Sequence, residues 1–280
     1  MEHSITFISA ADYTNDVRLR RNTWDDWHLI PTSRPVFNPP PMKKEYVEIP
    51  GSSESLDLSE ALTGFPLYQN REGSIEFIVE NGHRQWYNAY SGIMDFLHGR
   101  KVRAVLNDDL QHYYEGRFFV NQWKSDPHWS VITLDYDLSP YKLRAQTSTE
   151  RWLWDPFDFE NGIIQTDYFK DIHVQSMRYS EYHDFGEWTA VKNNKTSIRK
   201  RALIGMKPVC PTFVVTSASI YGITAHFINK ELGIDTEKTF KMGSTTDPDI
   251  VFSNVSLDNR IGAYFKGYGT ISIDFRSGGF

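Results

Sequence analysis

Apolar and polar residues alternate over four stretches of the chain. Ile75, Phe77 and Val79 alternate with Ser74, Glu76 and Glu80, with Ile78 falling on the polar side. Val102, Ala104 and Leu106 alternate with Lys101 and Arg103; Ile132, Leu134 and Tyr136 with Thr133, Asp135 and Asp137; Ile271, Ile273 and Phe275 with Ser272, Asp274 and Arg276. A period of two puts one set of side chains on each face of a strand, so each stretch predicts a short antiparallel strand with one wetted face. A different period governs Trp86, Tyr90, Ile93, Met94 and Leu97, which fall at i, i+4, i+7, i+8 and i+11. That spacing predicts a helix over Arg84–His98 with a single apolar face, and Gly99 stands where a C-terminal cap belongs. Asp57-Leu58-Ser59-Glu60 reads as a capping box opening one or two helical turns that stop at Gly64. Helical signals are scarce elsewhere, so the chain reads as mainly β with one good helix.

Proline punctuates one region heavily. Pro31, Pro35, Pro39, Pro40, Pro41 and Pro50 fall within twenty residues. Proline lacks a backbone N–H and fixes φ, which excludes a central strand and predicts an extended, arm-like segment closed by a Gly51-Ser52-Ser53 turn. We expect Ser33 to Pro50 to lie across a neighbouring subunit; a loop wrapped over the subunit's own sheet is the alternative. Alternation stops at the Ser139-Pro140 turn, and a polar run from Ala145 to Glu150 follows. With 280 residues and about 150 per domain, two domains are expected, over residues 1–145 and 146–280.

Composition narrows the function classes. Thirty Lys and Arg against 36 Asp and Glu leave a net charge of −6, the wrong sign for a general nucleic-acid binder or for an acidic membrane surface. With 40% hydrophobic and 24% charged residues, real cores can form. Eighteen Phe, 15 Tyr and 8 Trp favour strands and binding surfaces. Cys210 is the single cysteine, which excludes an intramolecular disulfide and multi-cysteine metal sites. The start, Met1-Glu2-His3-Ser4, carries no signal-peptide pattern, and no apolar run approaches the ~20 residues of a membrane span. A soluble protein made in the cytoplasm is expected.

Candidate chemistry is thin. The nine histidines show neither H-E-x-x-H nor paired i, i+4 spacing, so no local zinc site is expected; His98 and His128 read as cap and turn residues. No phosphate-binding loop and no G-x-S-x-G elbow occurs. Gly267-Tyr268-Gly269 starts like a dinucleotide fingerprint but lacks the third glycine and precedes a strand. Cys210, between Val209 and Pro211, reads as a buried structural thiol rather than a nucleophile. Of the close carboxylate pairs, Asp135/Asp137 belongs to a wet strand face and Asp247/Asp249 to a turn. Asp155/Asp158, in an aromatic run, is the one pair suited to sugar or calcium, with turn-forming Asp the preferred reading. The basic cluster Lys195, Arg199, Lys200 and Arg201 reads as a solvated face or a complementary protein interface. No catalytic, cofactor-binding or metal-binding residue is assigned.

Several strings, in order along nearly the whole chain, carry a family likeness. They are Asn22-Thr23-Trp24-Asp25-Asp26-Trp27-His28-Leu29-Ile30-Pro31 with Ser33-Arg34-Pro35, Leu56 to Gly64, and Asn70-Arg71-Glu72-Gly73-Ser74. Leu97-His98-Gly99-Arg100-Lys101, Tyr114-Glu115-Gly116-Arg117-Phe118 and Ile132 to Asp137 follow. Beyond the expected boundary come Trp152-Leu153-Trp154-Asp155-Pro156-Phe157-Asp158-Phe159-Glu160, Pro208 to Phe213 and Ser272-Ile273-Asp274-Phe275-Arg276-Ser277-Gly278-Gly279. Together they resemble the distal tail proteins of long-tailed phages that infect Gram-positive bacteria. The resemblance implies an N-terminal β-rich, tail-tube-like domain with one helix and a C-terminal galectin-like β-sandwich.

The same resemblance implies a non-enzymatic virion protein at the distal tail tip. Such proteins form a homo-hexameric ring that joins the tail tube protein to the tail-tip or tail-associated lysin protein and the receptor-binding protein, without a cofactor. Two other readings stand beside it. One is a carbohydrate-binding module using Trp152, Trp154 and Trp188 on host-wall sugars, since fold alone does not carry function. The other is a wall-degrading enzyme using Asp155 and Asp158.

Overall fold

Alternation builds most of the strands. The computed structural model describes residues 3–9, 19–63, 65–80, 82–125, 130–145, 147–149, 170–179, 207–229, 234–251 and 261–280, with short strand pieces at 157–158, 162–163, 182–184, 187–190 and 198–201. The chain divides into two compact units, residues 1–145 with Phe280, and residues 146–279. Both are antiparallel β structures, and the first holds a helix.

In the first unit the elements are β1 (Ile5–Ser9), β2 (Arg20–Asn22), β3 (Leu29–Pro31), β4 (Tyr46–Glu48), β5 (Ser55–Asp57), β6 (Arg71–Val79), α1 (Gly82–Phe96), β7 (Lys101–Leu106), β8 (His112–Ser125), β9 (Ser130–Leu138) and β10 (Lys142–Arg144). One sheet runs in the order β2-β1-β7-β8-β9-β6-β3, with β10 pairing the start of β8. The alternating residues expected inside are there: Ile75, Phe77, Val79, Val102, Ala104, Ile132, Leu134 and Tyr136 are all buried. They share a core with Ile93 from α1, with Leu97 just beyond its end, and with Trp27 and Leu29 from the β2–β3 segment.

The helix is displaced from its expected span. It covers Gly82–Phe96 rather than Arg84–His98. Leu97 still donates to Ile93 O at 2.8 Å, but His98 already bridges to Phe118, and Gly99, at φ 72°, donates to Phe118 O. The strand claims the last residues that the apolar period assigned to the helix.

The expected helical turn at Asp57–Gly64 is absent from the described residues of that stretch. Asp57 ends β5, and its Oδ1 accepts the N–H of Ser59 two residues on, at 2.9 Å. This side chain closes a turn instead of capping a helix, and two further turns follow, from Ala61 N–H to Leu58 O and from Thr63 N–H to Glu60 O.

The proline-rich arm divides in two. Its first part is a component of its own unit: Phe37 is 3% exposed and belongs to the core. Its ring meets Tyr114 at 4.6 Å and Tyr136 at 4.9 Å, both edge-on. The prolines are tolerated because this stretch takes its hydrogen bonds at other residues, with Gln69 N–H to Pro41 O and Lys43 N–H to Leu67 O, each at 2.8 Å. The second part, from Glu45 onward, leaves the core as the β4–β5 hairpin.

In the second unit the elements are β11 (Phe157–Asp158), β12 (Gly162–Ile163), β13 (Ile172–Ser176), β14 (Tyr182–Asp184), β15 (Glu187–Ala190), β16 (Ile198–Arg201), β17 (Thr212–Asn229), β18 (Ile234–Phe240), β19 (Gly243–Thr246) and β20 (Ile261–Asp274). The main sheet has the order β13-β20-β17-β18, with β14 on β20 and β19 on β17; β11–β12 and β15–β16 are separate pairs. Phe213 stacks on Phe240 at 4.3 Å in a core shared with Phe227, Phe265, Ile271 and Ile273.

Candidate functional site

The residues proposed for chemistry do not converge. His98 accepts the N–H of Val120 at 3.0 Å through Nδ1, a connecting role between helix end and strand. Asp247 and Asp249 form the expected turn: Asp249 N–H donates to Asp247 Oδ1, and Lys238 Nζ lies 3.0 and 3.6 Å from the two carboxylates. The Lys238 hydrogen bond and the Asp249 N–H hold the Asp247 carboxyl below its usual range. Asp137 accepts from Asn70 at 2.7 Å on the wet face of β9. Cys210 corrects the expectation of a buried thiol: Val209 is the buried neighbour and Cys210 is exposed. Among the described residues, no group of three or more His, Cys, Asp or Glu is placed to hold a metal ion. No helix among them is long and apolar enough to cross a membrane.

Some candidates lie outside the described residues, namely His128, Trp152, Trp154, Asp155 and Lys195. Asp158 pairs with Gly162 between β11 and β12. Trp188 pairs with Lys200, Thr189 with Arg199 and Glu187 with Arg201 between β15 and β16.

What the first unit does display is a pair of features suited to contact. The first is the β4–β5 hairpin. Its base is tied down: Leu58 N–H donates to Glu45 O at 2.8 Å, and Glu45 N–H to Ser59 Oγ at 2.9 Å. Beyond that base Tyr46 pairs with Asp57, Val47 with Leu56 and Glu48 with Ser55, and all six are exposed. Tyr46, Val47, Ile49 and Leu56 are large apolar side chains at or near half exposure. An isolated two-stranded hairpin is marginal in water and needs a covering surface. From Glu45 to Thr63 the sequence holds Glu45, Glu48, Glu54, Asp57 and Glu60 and no cation. Sequence reading missed this hairpin, although the Pro50-Gly51 turn between two short apolar runs signals it.

The second feature is a row of charges across the outer sheet face. Lys101 pairs with Arg117, Arg117 with Asp137, and Asp137 with Glu72. The sign changes along the row, basic on β7 and β8 and acidic on β9 and β6. Arg117 and Lys101 are exposed, though each has a neighbour, Gly99 O at 2.6 Å for Arg117 and Glu115 for Lys101.

No protein-family model matches the chain, and no curated protein matches it in sequence. Among solved structures it is similar to the crystal structure of the SPP1 Dit (gp 19.1) protein, titled a paradigm of the hub adsorption apparatus in Gram-positive-infecting phages. The match covers 98% of each chain with a TM-score of 0.52 and 12% sequence identity. The fold is therefore Dit-like: mainly β, antiparallel, with one helix among the described residues.

Proposed function

We propose that this chain is a structural virion protein, the hub at the distal end of a phage tail, and that it carries no chemistry of its own. Six copies form a ring that continues the tail tube, with residues 1–145 as the ring-forming domain. Residues 146–280 form a galectin-like β-sandwich directed at the host-recognition apparatus. The tail tube protein, a tail-tip or tail-associated lysin protein and a receptor-binding protein are its partners. The observation that carries this reading is the likeness to the SPP1 hub protein over 98% of both chains, which spans both units rather than one.

Two features of the first unit support it. A cyclic ring is closed by heterologous contacts, in which unlike surfaces of successive copies meet. A sheet face that changes sign from Lys101 and Arg117 to Asp137 and Glu72 offers the complementary sides such a contact needs. The acidic, apolar hairpin gives each copy a projection to lay on the next. Electron microscopy and mass photometry of the purified chain test the reading. Sixfold rings at six times the 32.5 kDa chain mass are expected; a monomer at all concentrations overturns it.

A further inference from the structure

Strand β17 slips against β20 twice, by one residue at Thr216 and by a longer excursion further on. Ala218 pairs with Gly269 and Ile223 with Gly267, so the four residues Ser219 to Gly222 stand opposite the single residue Tyr268. The excursion is built into the backbone. Gly267 and Gly269 hold φ of 130° and 154°, and a Cβ on Gly267 would come within 2.8 Å of the Gly222 carbonyl. Only glycine lets the strands close up beneath the bulge. The Gly-Tyr-Gly string that fails as a nucleotide motif thus has a structural use.

The bulge carries Ile220 at 87% exposure and Tyr221 at 73%, with Tyr268 opposite at 51%. The flanking chain exposes more at the same level of the sheet. Met177 follows the Ser176–Gly267 pair and is 56% exposed. Met242 lies between the Phe240–Ile223 and Gly243–Val215 pairs and is 69% exposed. Single exposed apolar residues need no explanation, but a band of five, three on adjacent strands and two just beyond strand ends, marks an interaction surface. The cations here are Arg178 and Lys241, and residues 176–178, 216–222, 240–243 and 267–269 contain no carboxylate.

We propose that this band is a docking surface for a polypeptide that offers an apolar groove flanked by carboxylates. The charge fixes the sign of the partner's rim. The side chains favour protein over sugar: Ile220, Met177 and Met242 have no group with which to bind hydroxyls, and small-ligand sites are concave with convergent polar groups, whereas Ile220 stands on an exposed bulge and the two methionines on exposed chain beside it. The inference rests on the tail-hub reading, in which the partner is another tail-tip protein.

The test uses assembled particles of the phage encoding this chain, carrying Ile220→Ser with Tyr221→Ser, and compares their protein composition by quantitative mass spectrometry. This chain is expected at its wild-type copy number, while one other tail protein falls by roughly tenfold or more, as when central anchors of an interface are removed. Arg178→Glu with Lys241→Glu, which leaves the apolar groups in place, should lose the same protein. Leu110→Ser, at a residue 68% exposed in the first unit, should lose none. Circular dichroism of the purified variants checks that they fold. Unchanged composition in both double variants overturns the proposal. So does intact composition accompanied by loss of binding to cell-wall polysaccharide, which would assign the band to sugar. Absence of this chain from wild-type particles overturns the hub reading, and this one with it.

Discussion

The phenolic oxygen of Tyr136 accepts the backbone N–H of Asn38 at 2.9 Å, joining a central strand to the proline-rich segment 98 residues upstream. The same residue is held at its carbonyl as well, because Arg71 donates to Asn38 O at 2.9 Å and to Pro140 O at 2.8 Å. Arg71 is 3% exposed, and its guanidinium lies 5.4 Å over the Tyr114 ring. Burial pushes its pKa down, against the attraction of Tyr114 and Tyr136, yet a guanidinium stays charged in any protein environment. A segment that cannot build its own ladder is thus held by side chains of the sheet beneath it.

Replacing Phe37 by Ala should destabilise the first unit by about 3–5 kcal/mol, since a buried ring among three aromatic neighbours is lost. Val36→Ala, at a residue 69% exposed, should stay within about 0.5 kcal/mol. Urea unfolding monitored by fluorescence measures both. Equal costs at the two positions would mean that the segment is not seated as described.

The helix offers a second comparison. Ile93 and Leu97 are fully buried, whereas Asp95 faces solvent. Leu97→Ala should cost about 2–5 kcal/mol, and Asp95→Ala less than about 0.5 kcal/mol, read from the shift of the unfolding midpoint.

Acid should weaken the turn between β7 and β8. Asp109 pairs with His112 Nδ1 at 2.7 Å and Lys142 Nζ at 3.0 Å. Burial pushes its carboxyl up, but the hydrogen bonds and charges of those two partners outweigh burial and hold it below its usual range. A carboxyl whose folded pKa is depressed stabilises fully above its unfolded value, about 4, and loses that contribution as pH falls through the lower folded value. Wild type should therefore melt above Asp109→Asn at pH 7, with the gap closing as pH falls through the lowered folded value. A gap of constant size down to pH 2 would show that the carboxylate charge is not its source.

Cutting back the hairpin separates folding from assembly. Replacing residues 46–56 by a short Gly-Ser link should leave the strand-type circular dichroism and melting temperature near wild type, because all six paired residues are already exposed. Mass photometry should then find monomers. Full rings at wild-type concentrations would leave the sheet faces alone to hold the assembly.

What the sequence made legible follows from how local each signal is. Ile132, Leu134 and Tyr136 announce their burial because a strand's period is carried by consecutive residues. Phe37 does not, because its pocket is made by Tyr114, Phe118 and Tyr136, far along the chain. The helix end shifted because Phe118 competes for His98 and Gly99, a contact no window around residue 98 contains. The bulge at Ser219–Gly222 was hidden for the same reason, since its glycine partners lie on β20. Cys210 was misplaced by trusting residue type over the inward position that Val209 already occupied.

That misplaced thiol has a practical consequence. One exposed cysteine per chain means that a maleimide dye attaches once to each copy, without engineering. Single assemblies immobilised at full labelling would then report their own stoichiometry by stepwise photobleaching. A ring of the proposed kind goes dark in as many steps as it has subunits, and a lone chain in one.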